Sequence, residues 1–214
     1  MPALKLYHSP GACSMACHVA LEEAGAAFEP VVIRLSEGAN HTPEYRAIHP
    51  RGFLPVLEFP DGRRLTEAAA ILLAVARRHP GSRLLPDAGT FEEARVFEWL
   101  AWLTNTVHVA YAGLWRPERF TDDPGARTAL AAEAKDRIAA LDADAASRLG
   151  SAPFAAGDAY TVADAFLLVF FRWSNRIGLD AAGRHPAWAA WARRMEARPA
   201  VARVLAREGV SLWE

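Results

Sequence analysis

A stretch containing proline, glycine and two cysteines, near the amino terminus, decides the fold of this chain: Ser9-Pro10-Gly11-Ala12-Cys13-Ser14-Met15-Ala16-Cys17-His18. Before it, residues 3–7 alternate apolar and polar side chains, which predicts a β-strand. After it, residues 19–25 end on a glycine and predict the body and end of a helix. The proline and the glycine form the turn between the two elements. Cys13 is therefore expected in the first turn of the helix.

That position gives Cys13 a candidate chemical role. The first turn of a helix has unpaired backbone N–H groups and the positive end of the helix dipole. A thiol in this setting loses its proton more easily and becomes a nucleophile. The local residues leave a second interpretation open, in which Cys13 is a small buried residue that closes the corner between strand and helix.

Length and composition limit the classes of function. The chain has 214 residues, 52% hydrophobic and 23% charged, and a net charge of −1, which is typical of a globular protein with one large or two small domains. It has no basic cluster that would indicate nucleic-acid binding. The longest apolar run is interrupted by Asp164 and is too short for a membrane span. Cys13 and Cys17 lie four residues apart on one helix, which does not favour a disulfide. We expect a cytoplasmic protein with no membrane or nucleic-acid partner and no metal.

The first eighty residues predict a small α/β domain. The strand and helix around Cys13 are followed by a second strand at 28–33, which makes a βαβ unit with parallel strands. A strand within 50–59, entered through a proline, then a turn and an edge strand at 64–65 come next, and Thr66 is expected to cap a helix over 67–78. The order βαβ then ββα is that of a thioredoxin-like domain, which we assign to residues 1–80.

The remainder predicts an all-α helical bundle. A Pro/Gly-rich linker at 81–90 precedes a helical domain at 91–214. Thr90 with Glu93 indicates a capping box that opens a long helix ending near Tyr111. Thr161 with Asp164 indicates another, which opens an apolar core helix ending near residue 175. Further helices are predicted over 126–149 and after Pro186 and Pro199.

Taken together, several motifs resemble those of the cytosolic glutathione transferases, closest to the bacterial beta class. The resemblance covers nearly the whole chain in order. The motifs are Ser9-Pro10-Gly11-Ala12-Cys13-Ser14, Gly52-x-Leu54-Pro55-Val56-Leu57, Leu65-Thr66-Glu67, Glu98-Trp99-Leu100 and Thr161-Val162-Ala163-Asp164-Ala165. The resemblance implies a transferase that conjugates the thiol of glutathione to apolar electrophiles, or exchanges disulfides through a mixed disulfide at Cys13. It also implies a homodimer.

The resemblance assigns roles to individual residues. Cys13 and His108 are expected beside the glutathione sulfur as catalytic residues. Leu54, before a proline that is cis in the family, is expected to bind the cysteinyl backbone of glutathione, and Glu67 its γ-glutamyl end. Glutathione-binding roles are also expected for the following residues: Ser14, Arg51, Pro55 and Ala68. Ser9, Ser14 and Tyr7 are alternative contacts for the sulfur.

The chain departs from the family pattern within this expected site. Ala68 stands where many members have serine, and Ala101 stands where the class can supply an asparagine from the partner subunit. A lysine that often precedes the second helix is missing. The family's Asn-Pro-Lys-Gly motif reads His49-Pro50-Arg51-Gly52, so Arg51 is expected to replace the positive charge of that motif's lysine. Two or three lost polar contacts, each about 1 kcal/mol, would weaken glutathione binding by one to two powers of ten.

The second substrate is expected on the helical side of the cleft, against Tyr111, Trp115 and Trp173. Two other functions stay open at this point. One is a non-catalytic module that binds a ligand or a protein on the transferase fold. The other is a specialised glutathione-dependent dehalogenase or isomerase.

Overall fold

The first strand, β1 (Leu4–His8), lies inside a four-stranded sheet with the order β2-β1-β3-β4, in a computed structural model that describes residues 3–214. β2 (Phe28–Val32) pairs with β1 in parallel, as the βαβ pattern predicts. β3 (Val56–Glu58) pairs with β1, and β4 (Arg64–Thr66) with β3, both antiparallel. The mixed sheet is that of a thioredoxin-like domain.

Three helices accompany the sheet: α1 (Ser14–Glu23), α2 (Pro43–Ile48) and α3 (Ala68–Arg78). Short 3₁₀ turns lie at Leu35–Glu37, Ala39–His41 and Pro80–Ser82. Helix α1 is buried along residues 14–21. It packs against α3 on one side and against the helical part of the chain on another, so it is the element that joins the two parts.

The start of α3 corrects the expected cap at Thr66. Thr66 is the last residue of β4, where it pairs with Val56, so Glu67 takes the N-cap position. Glu67 has a φ of +67° and its side chain makes no capping hydrogen bond. Its carboxylate is therefore directed to other contacts.

The rest of the chain is helical. The helices are α4 (Phe91–Trp102), α5 (His108–Trp115), α6 (Pro124–Leu149), α7 (Val162–Arg176), α8 (Ala181–Arg184), α9 (Pro186–Glu196) and α10 (Pro199–Glu208). A π-helical turn, Leu103–Val107, joins α4 to α5, and a 3₁₀ turn, Pro117–Arg119, follows α5. The fold class is confirmed: a thioredoxin-like α/β domain followed by an all-α helical bundle. The boundaries at residues 80 and 91 stay predictions, although α3 ends at Arg78 and α4 begins at Phe91.

Both capping patterns form at helix starts, with one difference. The Thr90 hydroxyl accepts a hydrogen bond from the Glu93 N–H, but the Glu93 carboxylate accepts from the Gly89 N–H, one residue earlier than in a capping box. At α7, Thr161 and Asp164 make the reciprocal pair. Helix α7 is buried from Val162 to Ser174, which confirms it as the core helix.

The long helix after the linker extends further than expected. Instead of ending near Tyr111, it continues to Trp115 and contains the π-helical turn. Within that turn the Thr104 hydroxyl donates to the carbonyl of Leu100, at 2.7 Å. A π-helical turn shifts the phase of the residues that follow it. Those residues include His108, Tyr111 and Trp115, which line the cleft described below.

One continuous core runs through both parts of the chain. It includes Leu6 of β1, Met15 of α1 and Phe170 of α7, all fully buried. Because the two parts share this core, the cleft between them has fixed walls. Among residues 3–214, no helix combines the length and the apolar character that a membrane crossing requires.

Candidate active site

A cavity of about 780 Å³ lies between the sheet domain and the helical bundle. One wall comes from the β1–α1 turn, from the loop at 52–55 and from the start of α3. The other comes from α5, α7 and the end of α10. The size is within the range of small-molecule sites. The stretch that decides the fold therefore also forms part of the cavity wall.

The turn that precedes Cys13 is held by the helical bundle. The N–H of Gly11 donates to the Glu208 carboxylate at 2.7 Å, and its carbonyl accepts from Trp173 Nε1 at 2.7 Å and from Arg172 Nη1 at 3.2 Å. Gly11 has a φ of +65°, and a Cβ there would lie 2.6 Å from Arg172 Nη1. The turn therefore requires glycine, and both sides of its peptide are fixed.

Cys13 occupies the predicted place but not the predicted protonation state. It is the N-cap residue of α1, half-buried, and its Sγ lies 3.6 Å from the carbonyl oxygen of Leu54, to which the thiol donates. Burial raises the pKa of the Cys13 thiol to about 11, although the positive charge of Arg116 lowers it in part. The raised pKa runs against the expectation of an easily ionised thiol, because loss of solvation outweighs the helix terminus.

Two hydroxyls expected near the sulfur have other partners. The Ser14 hydroxyl is fully buried, donating to the carbonyl of Ser9 and accepting from its N–H, so its role changes from ligand contact to support of the turn. The Tyr7 hydroxyl donates to Glu58 at 3.4 Å, and burial raises its pKa. Ser9 lies in the cavity wall, where its hydroxyl accepts from the N–H of Leu35.

Four of the expected glutathione contacts lie together in the wall: Leu54, Pro55, Glu67 and Ala68. The Leu54–Pro55 peptide bond is cis, as the resemblance implies. Arg51 lies beside the cavity rather than in its wall. Its guanidinium pairs with the exposed Glu67 carboxylate at 3.3 Å, so Glu67 is accessible and partly neutralised.

His108 lies in the helical wall of the same cavity that Cys13 lines. Its ring packs on Trp173, with centroids 5.5 Å apart, and edge-on against Phe170 at 6.2 Å. Burial, with the positive charges of Arg116 and Arg119, lowers the pKa of His108 to about 4. His108 is therefore a neutral imidazole at pH 7, able to accept or donate a hydrogen bond.

The three aromatic residues expected on the substrate side form one cluster. The centroids of Trp115 and Trp173 lie 4.8 Å apart, and those of Tyr111 lie 5.1 and 5.0 Å from them. Tyr111 is buried and its hydroxyl lies 2.6 Å from the Ser174 hydroxyl. Trp115 is 42% exposed and lines the cavity.

A buried cluster lies behind the cavity and was not anticipated. His18 Nδ1 donates to the Glu208 carboxylate at 2.8 Å, and His8 Nδ1 lies 3.3 Å from the same oxygen. Burial tends to raise the pKa of Glu208, but hydrogen bonds from His18, His8 and Gly11 lower it overall. The three side chains could also hold a metal ion, since their ligand atoms lie within 4.8 Å of one another. The expectation of no metal stays a prediction.

Sequence reasoning also missed the arginines of the cavity wall: Arg34, Arg116, Arg119, Arg172 and Arg176. Spacings of three and four residues on the chain, 116 with 119 and 172 with 176, were the available signal. The sequence of α7 predicts an apolar core helix, so Arg172 and Arg176 near its end were not recognised as cavity residues. Whether these arginines lie in the wall of one cavity depends on how α5 and α7 pack.

Known proteins share both parts of this chain. The glutathione S-transferase N-terminal domain family matches residues 11–78, and the C-terminal domain family matches residues 114–199. Glutathione S-transferase GstA of Escherichia coli O157:H7 is 30% identical over 208 residues, which cover 97% of this chain and all of the relative. The chain belongs to the glutathione S-transferase family.

Solved structures of this family agree with the assignment. A glutathione transferase homolog from Sulfitobacter, with bound glutathione, has a TM-score of 0.92 and 30% identity, and covers 97% of this chain and 99% of its own. A bacterial beta class glutathione S-transferase from Sphingomonas chungbukensis has a TM-score of 0.78 and 34% identity, over 97% of this chain and all of its own. The resemblance to the beta class is therefore confirmed.

Proposed function

We propose that this glutathione S-transferase binds glutathione against the sheet-domain wall of the cavity and conjugates its thiol to an electrophile held against the helical wall. The observation that carries the proposal is the arrangement of one 780 Å³ cavity, with Cys13, Leu54 and Glu67 on one side and His108 and Trp115 on the other. Tyr111 and Trp173 complete the aromatic surface on the second side.

Each part of glutathione has a matching group in the wall. The Glu67 carboxylate is accessible and suits the γ-glutamyl ammonium. The start of α3 at Ala68 suits the neighbouring carboxylate, since free N–H groups at a helix N-terminus bind anions. The backbone of Leu54 suits the cysteinyl amide. This orientation brings the sulfur toward Cys13, whose thiol contacts Leu54.

The protonation state of Cys13 favours conjugation over disulfide exchange. A neutral Cys13 thiol can donate a hydrogen bond to the glutathione thiolate, and the charge of Arg116 acts to lower the pKa of Cys13 itself. Exchange requires the Cys13 thiolate to attack oxidised glutathione, forming a mixed disulfide and releasing one glutathione thiolate. With a pKa of about 11, Cys13 supplies little thiolate at pH 7.

The expected partner and compartment belong to the same proposal. The exposed rings of Phe91 and Phe97 on α4 are apolar surface that a second copy of the chain would cover, as in the homodimer that the family resemblance implies. Cys13 and Cys17 are free thiols, which suits the reducing cytoplasm. Sedimentation at several protein concentrations tests the dimer.

Calorimetric titration of the reduced protein with glutathione tests binding. We expect saturable heat with a Kd between micromolar and millimolar for the protein and for Cys13→Ser. We also expect Glu67→Gln to weaken binding about tenfold, because one charge-assisted contact is lost. Glu118→Gln is the control, since Glu118 is an exposed carboxylate outside this wall. No heat and no thermal stabilisation at 10 mM glutathione would favour the non-catalytic binding module.

A second experiment tests the role of Cys13. The absorbance of the glutathione thiolate near 240 nm, followed against pH in the complex, gives the pKa of the bound thiol. We expect Cys13→Ala to raise this pKa and to lower conjugation of 1-chloro-2,4-dinitrobenzene, and Cys13→Ser, which keeps a donor, to restore most of both. Equal values in all three proteins would remove Cys13 from the mechanism.

A further inference from the structure

The wall that is expected to receive the second substrate carries an excess of positive charge. Four arginines of the helical bundle line it: Arg116 and Arg119, around the turn after α5, and Arg172 and Arg176, near the end of α7. Arg172 is buried, with its Nε lacking a hydrogen-bond partner, and Arg119 is exposed. Aromatic and cationic side chains therefore share this side of the cavity.

Carboxylates of the described residues offset this charge only in part: Glu118 acts to raise the pKa of Arg119, and Glu208 and Glu214 act to raise that of Arg172. Within residues 3–214, none of the four forms an ion pair, whereas most other arginines of the surface do. The two carboxylates of the cavity wall are engaged elsewhere. Glu67 pairs with Arg51, and Glu208 accepts from Gly11 and His18. The positive charge is therefore available to a ligand.

These cations repel one another, and the repulsion contributes to lowering the pKa of two of them. Burial and the charge of Arg116 lower the pKa of Arg119, and burial and the charge of Arg176 lower that of Arg172. An anion between them would relieve this repulsion, because each cation would gain an opposite charge in a partly desolvated site. The cavity wall is thus suited to a negative group.

The position of the arginines relative to the aromatic cluster indicates what carries the negative group. Arg116 follows Trp115 directly in the chain, and Arg119 lies over the ring of Phe53 at 4.5 Å, across the mouth of the cavity. Trp115 in turn packs on Trp173 at 4.8 Å. A flat apolar group on the tryptophans would place a substituent on its edge near the guanidinium groups.

Glutathione itself does not account for this charge. In the proposed orientation its γ-glutamyl end is at Glu67 and Ala68 and its cysteinyl part at Leu54, all on the sheet-domain wall. Arg34 also lines the cavity and pairs with Glu37 at 3.5 Å, and its exposed guanidinium is a cation that the remaining glycyl carboxylate could reach. The helical-wall arginines remain for the other substrate.

We propose that the second substrate of this enzyme is an aromatic electrophile that carries a carboxylate or a similar anionic group, bound by Arg116 and Arg119 with its ring on Trp115. This inference rests on the proposed transferase function and replaces a purely apolar electrophile by an anionic one. The guanidinium groups act as binding and specificity residues, not as acids or bases, since they stay protonated.

The proposed reaction with a chloronitrobenzoate is a substitution. The glutathione sulfur uses a lone pair to form a C–S bond to the ring carbon that carries chlorine. Chloride leaves with the electron pair of the C–Cl bond, and the thiol proton passes to solvent. The carboxylate takes no part in the bond changes, so once the intrinsic reactivity of each compound is corrected for, it reports the interaction with the enzyme.

A matched pair of electrophiles tests the inference: 4-chloro-3,5-dinitrobenzoate and its uncharged amide, 4-chloro-3,5-dinitrobenzamide. We compare kcat/KM for both substrates in the protein, in Arg116→Gln and Arg119→Gln, and in the control Arg137→Gln. Arg137 is an exposed arginine of α6, outside the cavity wall. For each compound, kcat/KM is divided by the second-order rate constant of its reaction with glutathione without enzyme, because the two compounds differ in intrinsic reactivity.

We expect the protein to accelerate the benzoate reaction at least tenfold more than the amide reaction. Arg119→Gln should reduce kcat/KM for the benzoate about tenfold, with less than a twofold change for the amide. Arg116→Gln should slow both reactions, because the Arg116 charge also acts on Cys13 and His108, and should lower the benzoate-to-amide ratio of kcat/KM about tenfold. Arg137→Gln should leave both substrates unchanged. Raising NaCl from 50 to 500 mM should reduce the preference for the benzoate, because salt screens the arginines. Thermal unfolding of each variant checks that it folds.

Equal or greater acceleration of the amide reaction would overturn the inference and leave the transferase function in place. So would equal losses for both substrates in the arginine variants. If neither these compounds nor 1-chloro-2,4-dinitrobenzene react and calorimetry shows no glutathione binding, the transferase function itself fails, and the inference fails with it.

Discussion

The carboxylate of Glu208, in the last helix, accepts a 2.7 Å hydrogen bond from the backbone N–H of Gly11, in the turn after the first strand. The two residues are 197 positions apart. The same carboxylate accepts from His18 in α1, and Trp173 of α7 donates to the carbonyl of Gly11. The turn that carries Cys13 is therefore positioned by the far end of the chain. A change in α10 should therefore alter the proposed glutathione site.

Replacing Glu208 by glutamine tests this connection. We expect the free energy of unfolding to fall by about 2–3 kcal/mol at pH 7, because a buried carboxylate that accepts several hydrogen bonds loses its charge. We also expect a higher KM for glutathione. Urea denaturation measures the first effect and steady-state kinetics the second, with the exposed Glu133→Gln of α6 as the control.

The same substitution predicts a pH dependence. The folded state lowers the pKa of Glu208, so its carboxylate stabilises the protein above its ordinary pKa near 4, and this contribution is lost as the pH falls through the folded pKa. The difference between the protein and Glu208→Gln should therefore shrink on acidification. A difference that stays constant from pH 7 to pH 3 would contradict the assignment.

Comparing two glycines with left-handed backbones distinguishes the cost of backbone strain from the cost of a steric clash with the added Cβ. Gly11 and Gly25 have φ values of +65° and +61°, but a Cβ meets Arg172 only at Gly11 and meets nothing within 4 Å at Gly25. We expect Gly25→Ala to cost about 1 kcal/mol and Gly11→Ala clearly more, with weaker glutathione binding in the second variant alone. Denaturation and calorimetry of both variants measure this. Equal costs would mean that Arg172 moves aside freely.

Asp142 is expected to give the free energy of unfolding a pH dependence opposite to that of Glu208. It is buried beside Ser174, whose hydroxyl donates to it at 2.7 Å, and burial raises its pKa to about 7. Between about pH 4 and pH 7 the folded state holds a proton that the unfolded state has released, so the free energy of unfolding falls as the pH rises through this window. Asp142→Asn should remove this fall.

The pKa shift of Asp142 sets the size of the expected stabilisation, and an exposed aspartate of the same helix provides the control. At pH 8 the stabilisation by Asp142→Asn should be on the order of 3 kcal/mol, and at pH 4 it should be close to zero. Asp136→Asn, an exposed position of the same helix, should show neither effect. Urea denaturation at both pH values provides the measurement. Destabilisation at pH 8 would show that Asp142 is ionised and well solvated in the folded protein.

His108 reports the charge of the cavity wall. Its pKa of about 4 has burial as the largest cause, followed by the charges of Arg116 and Arg119. Arg116→Gln should therefore raise the pKa of His108 only part of the way toward 6.5, and Arg137→Gln should not change it. Histidine ring proton shifts in an NMR pH titration give the values. An unchanged pKa in Arg116→Gln would place Arg116 too far from the site to act on it.

Local patterns predicted most of the fold because they depend on neighbours in the chain. The alternation in β1, the turn at Gly11 and the Thr161–Asp164 capping box act over a few residues. The cap expected at Thr66 is wrong because pairing with Val56 keeps Thr66 in a strand, a contact that local patterns do not contain. The π-helical turn at Leu103–Val107 was missed for a similar reason.

The candidate site divides in the same way. The sequence and its family resemblance predicted one site, and the structure places the following predicted residues in one cavity: Cys13, Leu54, Glu67, His108 and Trp115. They gave the wrong ionisation for Cys13, because solvation depends on how deeply the thiol is buried once the helical bundle is in place. Ser14 was expected to reach the ligand, but its hydroxyl is used by the backbone of Ser9.

The sequence by itself therefore determined the order of strands and helices, the family, and the side chains that we propose carry the chemistry, since these depend on short-range patterns. Only the tertiary structure decided the hold of Glu208 on Gly11, the neutral states of Cys13 and His108, and the gathering of unpaired arginines around Trp115. The physical reason is that hydrogen bonding, desolvation and charge repulsion act between groups that are close in space, and residues 11 and 208 become close only when the chain folds.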